Sequence, residues 1–388
     1  MEPDPDDLDE NRSWDRAHGL YAFLEQACRQ IGRLDIYSFA RLNHATDVVL
    51  EHWLDHCPAG MTRVLQVQRY CATLGFIGPP PTNWRLQLAY IEHAESVVES
   101  LSVLQLRDTL IPWTSLAYHN RIDLRLYYGS SPATVKISVS QFANILNSSP
   151  ELTRLQLEGL EITPSDGWNA TMAVHLVHLE VLYLNDLRGE SYKLLASIIL
   201  LSDCLNDLSA SLHIRGVPGS QEPQRTTDLI RDFFRDINVK TLMCSEEHLR
   251  SIENPQWAWS LPTTVVSLDT LVLTNFGLLG ETALQAMLYG NQTNVDEPKA
   301  LKQIVPHLPH LFMDRCKVNI EELNIIVSAH GVRDINLREC TIYNTENSGY
   351  PEDMVALRNE LLTAFPELIC TVWSDDIAAE WPRCKIYD

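Results

Sequence analysis

Apolar positions along this chain recur in a fixed pattern: a first, a fourth, a sixth, a ninth and an eleventh residue, with polar residues between. Two consecutive copies stand near the C-terminus, Leu308, Leu311, Met313, Cys316, Val318 and then Val332, Ile335, Leu337, Cys340, Ile342, beginning 24 residues apart. Two further complete copies are Leu152, Leu155, Leu157, Leu160, Ile162 and Leu268, Leu271, Leu273, Phe276, Leu278. Partial copies begin at Ile31, Leu101, Arg121, Leu179, Leu205, Val239 and Phe365. Chance would supply a five-point match about once or twice in a chain of ordinary composition, so four copies mark a repeat. From 101 to 365 the starts lie on average about 29 residues apart.

The fourth and sixth residues share one face of an extended segment, and the third, fifth and seventh share the other. Each copy therefore predicts a short strand with one buried face. The segments between copies read as helices. Asn319 followed by Glu322 offers an N-cap and a capping box, and Ile320, Leu323, Ile326 and Val327 follow at helical spacing. Gly331 stands where a left-handed residue ends a helix. Similar stretches are Ser140–Leu146, Ser191–Leu201 and Thr227–Ile237. Strand and helix alternating at this period predict an α/β fold, a leucine-rich-repeat-like solenoid: an irregular curved array of short parallel strands with convex helices. Residues 1–12 read as a disordered acidic tail, 13–78 as an N-terminal cap with the first irregular repeats, and 79–388 as the leucine-rich-repeat-like domain. Pro79, Pro80 and Pro81 mark the break, and Gly216–Gln224 and Asn291–Pro298 read as inserted loops.

Charge narrows the choice of partner. Fifty-one acidic residues against 30 basic ones give a net charge of −21, which disfavours nucleic acid and anionic membrane surfaces. The start is acidic and lacks an apolar signal region, and no apolar run reaches a membrane span. The nine cysteines are scattered, without a C-x-x-C, which fits a reducing cytoplasmic or nuclear setting. The sequons at Asn11, Asn147, Asn169 and Asn291 then carry no glycans.

Catalytic motifs are lacking: no phosphate-binding glycine loop and no nucleophile elbow occurs. The strongest metal candidate is His52, His56 and Cys57, two histidines one helical turn apart beside a thiol, with His44 as a further ligand. It defines the alternative function, a metal-dependent enzyme; the bland reading is a surface helix turning into Pro58. His175 with His178, and His307 with His310, flank repeat strands and read as solvated or ladder positions. Asp375/Asp376 and Glu321/Glu322 are adjacent pairs whose side chains diverge. Trp257, Trp259, Trp373 and Trp381 read as covers for the open end of an array. No cofactor is expected.

The expected function is therefore non-enzymatic protein binding along the strand face opposite the leucines. Large aromatic and arginine side chains concentrate interface energy. On that basis the candidate partner-binding residues are Arg125, Tyr127, Arg154, Tyr183, His310, Phe312 and Arg338.

Ile111–His119, Asp123–Leu126, Ile145–Leu155 and His178–Leu184 together resemble fungal F-box/leucine-rich-repeat-like proteins, over roughly residues 45–345. The resemblance implies a substrate-recognition subunit of a cullin–RING ubiquitin ligase. No Leu-Pro opening of an F-box module is detectable near the N-terminus, so the adaptor contact lacks its usual element; no stable complex with the adaptor subunit is expected, and the alternative is a degenerate relative without that contact. The apolar stripe Leu20, Phe23, Leu24, Ala27 and Ile31 is expected to cap the first repeat.

Overall fold

The computed structural model describes residues 22–23, 26–27, 29–39, 43–70, 92–128, 135–165, 174–185, 187, 191–200, 208–213, 239–245, 268–275, 307–343 and 354–373. The chain forms two compact units, Met1–Val174 and His175–Asp388. The acidic tail, Pro79–Pro81, both inserted loops, Thr227–Ile237, Trp257, Trp259 and Trp381 lie outside the described residues.

In the first unit the strands β1 (Arg33–Phe39), β2 (Val64–Tyr70), β3 (Val103–Arg107), β4 (Asp123–Tyr127) and β5 (Arg154–Glu158) pair in sequence order, all parallel and without a register shift. Parallel neighbours require a crossover between them. Helix α1 (Asn43–His56) supplies the first, burying Leu50, Trp53 and Leu54 at helical spacing. Helix α2 (Glu92–Glu99) buries Ala94, Val97 and Val98. Helix α3 (Val139–Asn147) opens with a complete capping box between Ser138 and Gln141. The fourth and sixth repeat positions make the core: Leu65 and Val67, Leu104 and Leu106, Leu124 and Leu126, Leu155 and Leu157 are all buried. Burying each such side chain contributes roughly 1.5–3 kcal/mol.

In this unit two first positions depart from the apolar rule. The repeat containing β2, absent from the pattern read in sequence, has Thr62 at its first position. That side chain is fully buried and donates from Oγ1 to the Ile31 carbonyl at 2.7 Å, so its polarity is satisfied within the array. In the next repeat but one the first position is Arg121, also fully buried. Its guanidinium donates to the carbonyls of Leu101, of Val98 at 2.8 Å and of Glu99 at 3.0 Å. These are carbonyls at or just beyond the C-terminus of α2, which lack partners within the helix.

In the second unit β6 (Val181–Asn185), β7 (Leu208–His213), β8 (Val239–Ser245), β9 (Thr270–Thr274), β10 (His310–Asp314), β11 (Asp334–Arg338) and β12 (Ile369–Trp373) again pair in order and in parallel. Helices α4 (Ser191–Ile198), α5 (Ile320–His330) and α6 (Met354–Ala364) lie between strands. Asn319 caps α5 by accepting from the backbone of Glu321 at 2.8 Å and Glu322 at 3.3 Å, and Gly331 ends it at φ 62°. The ninth-position cysteines form a ladder of their own. Cys316 donates to the Leu273 carbonyl at 3.3 Å, and Cys340 repeats this to the Met313 carbonyl at 3.3 Å, each reaching the sixth position of the preceding repeat. Both chains therefore fill the same turn and tie one repeat to the last.

Two partial copies are shifted. Ala210 and Leu212 oppose Leu182 and Leu184, and Cys370 opposes Ile335, so these repeats begin two residues downstream of Leu205 and Phe365. A shift of two leaves every side chain on its own face, which is why the apolar pattern alone did not distinguish the registers.

The eighth position carries a backbone signature. Asp108, Gly159, Asn275, Arg315 and Glu339 all have positive φ, between 49° and 66°. Asp108, Asn275 and Arg315 each donate their N–H to the seventh-position carbonyl of the following repeat, at 2.8 Å. The left-handed residue turns the chain out of the strand while keeping that last bond. Gly159 meets the requirement without the roughly 1–2 kcal/mol that a Cβ adds.

Each unit is thus a leucine-rich-repeat-like α/β array. Among the described residues no helix is long and apolar enough to cross a membrane.

Candidate protein-binding face

The third, fifth and seventh positions of successive strands form three rows on the face opposite the leucines, and the two units fill them differently. In the first unit the rows are polar. Asp123 accepts two hydrogen bonds from Arg125, at 2.9 and 2.7 Å, and lies 3.9 Å from Arg154. Burial lowers the Arg125 pKa, but the hydrogen bonds and charge of Asp123 outweigh it and leave the pKa raised. Tyr127 is buried, donates to Gln156 Oε1 and lies beneath the Arg107 guanidinium, 4.9 Å from its ring centroid. Burial pushes its hydroxyl up to about 12. Arg125, Tyr127 and Arg154 are therefore joined in one internal network, and Tyr127 offers little open surface.

In the second unit the middle of the face is apolar. Val181, Met243 and Val272 form a buried cluster, and Tyr183 and Phe312 pack against it half-buried. The register explains the row: Met243 opposes Val272, which opposes Phe312. Charged groups edge this strip. Asp314, nearly buried, accepts from Arg338 at 2.7 and 3.1 Å and from Arg315 at 3.3 Å. His310 Nδ1 lies 2.6 Å from Asp334. At the N-terminal ends of β9 to β12 an open cleft of about 600 Å³ is lined by Asp269, His310, Arg333, Asp334, Glu367 and Ile369, among others.

Of the seven residues picked from sequence, three thus belong to the first unit's polar network. Four belong to the second unit: Tyr183 and Phe312 in the apolar strip, His310 and Arg338 at its charged edges. Val181 and Val272 stand at ladder positions by alternation but were not among the seven, and Met243 was not placed; the register of β8 with β9 is the signal that finds it.

The metal candidate divides on inspection. His52 and His56 stack with ring centroids 4.2 Å apart, and His56 Nδ1–H donates to the His52 carbonyl at 2.8 Å. Cys57 turns away into the core, 3.4 Å from the Thr62 hydroxyl. Among the described residues no three His, Cys, Asp or Glu side chains converge. In the N-terminal stripe Phe23 is 60% exposed and Ala27 and Ile31 are half-buried, while Leu20 and Leu24 lie outside the described residues.

No family model matches the chain, and no curated protein matches it. Among solved structures, an internalin from Listeria monocytogenes is similar at 14% identity over 93% of this chain and 95% of that one, with a TM-score of 0.32. The fold assignment rests on the strand register and buried repeat positions above.

Proposed function

We propose that this chain is a non-enzymatic scaffold that binds another protein through the ladder face of its second unit. The observation that carries this reading is the apolar strip of Val181, Met243, Val272, Tyr183 and Phe312. It lies on the face that the leucine core does not need, and charged side chains edge it. An apolar, aromatic centre within a polar rim is how protein interfaces are built. The paired variant Tyr183→Ser, Phe312→Asp is expected to keep the parent's melting temperature and to lose at least tenfold in affinity, about 1.4 kcal/mol or more, for proteins captured by the parent chain. Retention of the same proteins by the folded variant would remove this face from consideration.

A narrower reading, substrate recognition within a cullin–RING ubiquitin ligase, in the cytoplasm or nucleus, is favoured by one observation. Phe23 presents an exposed aromatic side chain near the N-terminus, where an adaptor contact is expected. Under that reading the chain co-elutes with the adaptor subunit at micromolar concentration, and Phe23→Asp abolishes co-elution without unfolding the repeats. Independent elution of the parent chain excludes it.

A further inference from the structure

The two ninth-position thiols of the second unit stand side by side. Asp314 opposes Arg338 and Lys317 opposes Thr341, so the register also sets Cys316 opposite Cys340 on neighbouring repeats. The Thr341 N–H donates to the Cys316 carbonyl at 2.8 Å and ties the two turns together at that point. Neighbouring strands run about 4.8 Å apart, and a disulfide spans Cα atoms roughly 4.4–6.8 Å apart, so the backbone can accept one with little movement. The Cys340 sulfur leans toward its neighbour, reaching the Met313 carbonyl of the strand that leads to Cys316 at 3.3 Å. Both residues are free thiols, Cys316 1% and Cys340 8% exposed. A hydrogen bond from the Cys316 thiol outweighs burial at Cys340 and holds its pKa below the ordinary thiol value. Burial pushes the Cys370 thiol, one repeat on, the other way.

We infer that Cys316 and Cys340 form a redox-sensitive staple, oxidised by peroxide to a disulfide that joins two consecutive repeats. Cys340 is the nucleophile, being the more exposed of the two and the one whose thiolate is favoured. Its thiolate attacks one peroxide oxygen, the O–O bond breaks, hydroxide leaves, and a sulfenic acid forms on Cys340. The Cys316 sulfur then attacks the sulfenic sulfur. The S–S bond forms, the S–O bond breaks, and the thiol proton departs with the hydroxyl group as water. Over both steps the two thiols lose two electrons, and peroxide is reduced to two waters. Oxidation removes both S–H donors, so the Leu273 and Met313 carbonyls each lose a thiol hydrogen bond. Such donors are weak. Against that loss, the bond closes a loop between positions 24 apart and so restricts the unfolded chain. The staple does not depend on what the ladder face binds.

The test treats the full, folded chain with hydrogen peroxide, blocks the remaining thiols, and maps disulfides by peptide mass spectrometry. The peptide pair joined through Cys316 and Cys340 is expected to be the main product, and dithiothreitol to return both thiols. Brief treatment in the presence of dimedone, which traps sulfenic acid, is expected to label Cys340 ahead of Cys316. In urea the same treatment is expected to spread linkage among the nine cysteines, because the fold no longer brings this pair together. The oxidised chain should melt at a temperature higher by roughly 3 °C or more, a gain that dithiothreitol reverses. The inference is overturned if the folded chain yields no Cys316–Cys340 linkage, if it yields this linkage no more than the chain in urea does, if dimedone marks Cys316 first, or if the linked chain melts no higher than the reduced one.

Discussion

Replacing Arg121 by alanine is expected to destabilise the protein by about 3–5 kcal/mol, read as a fall in the urea midpoint of the full chain. The side chain is fully buried at a position where most other repeats bear leucine, valine or isoleucine. Burial lowers its pKa to about 9, against an opposing pull from Glu99, so the guanidinium still carries its charge at neutral pH. Carbonyls of Val98, Glu99 and Leu101 hold that charge; that of Val98 also accepts the Leu101 N–H at 3.2 Å. Alanine leaves a cavity, and it strips the guanidinium bonds from the carbonyls at the end of α2. Arg121→Leu separates these effects. Leucine restores the apolar residue of the repeat and fills much of the space, yet supplies no donor. It should therefore recover only part of the loss. Lysine keeps a charge but lacks the planar fork that reaches several carbonyls at once, and should fall between leucine and arginine. A leucine variant as stable as the parent would mean that the hydrogen bonds contribute nothing net.

Arg121 also shows where the sequence was and was not legible. The period of strands could be read because the fourth and sixth positions are large and apolar in most repeats, and burial of those positions is what the fold demands. The first position is weaker, because a polar side chain is tolerated there if the neighbouring backbone bonds it. Thr62 does so through the Ile31 carbonyl, and the repeat containing β2 was not read in sequence. The ladder suffered with it: Gln66 could not be placed on a face before its strand was known. Registers two residues out at Leu205 and Phe365 have a different cause, since alternation cannot tell a strand from itself moved by two. Seven ladder residues were chosen by type, aromatic or arginine. Type did not reveal that Tyr127 donates to Gln156 while Phe312 leans on an apolar strip, because that distinction depends on the neighbours across the sheet.

Leu155→Ala and Leu337→Ala should each lower stability by about 2–5 kcal/mol. Both side chains are fully buried, one at a fourth position and one at a sixth. Leu155 opposes Leu124, and Leu337 opposes Met313 and Val372, so each truncation opens a void between neighbouring repeats. The loss combines the transfer energy of the removed carbons with the unfilled space, and repeats that touch only their neighbours have few ways to close it. The two substitutions fall in separate units, so they report on each array independently. Asp269→Ala is the control. Its side chain is exposed and pairs with Lys240 at 3.3 Å, and a surface pair of this kind contributes at most about 1 kcal/mol. A one-residue error in register would place both leucines on the open face, where truncation costs little. Urea unfolding then gives midpoints for both alanine variants indistinguishable from that of Asp269→Ala, and the assignment of leucines to the core would be wrong.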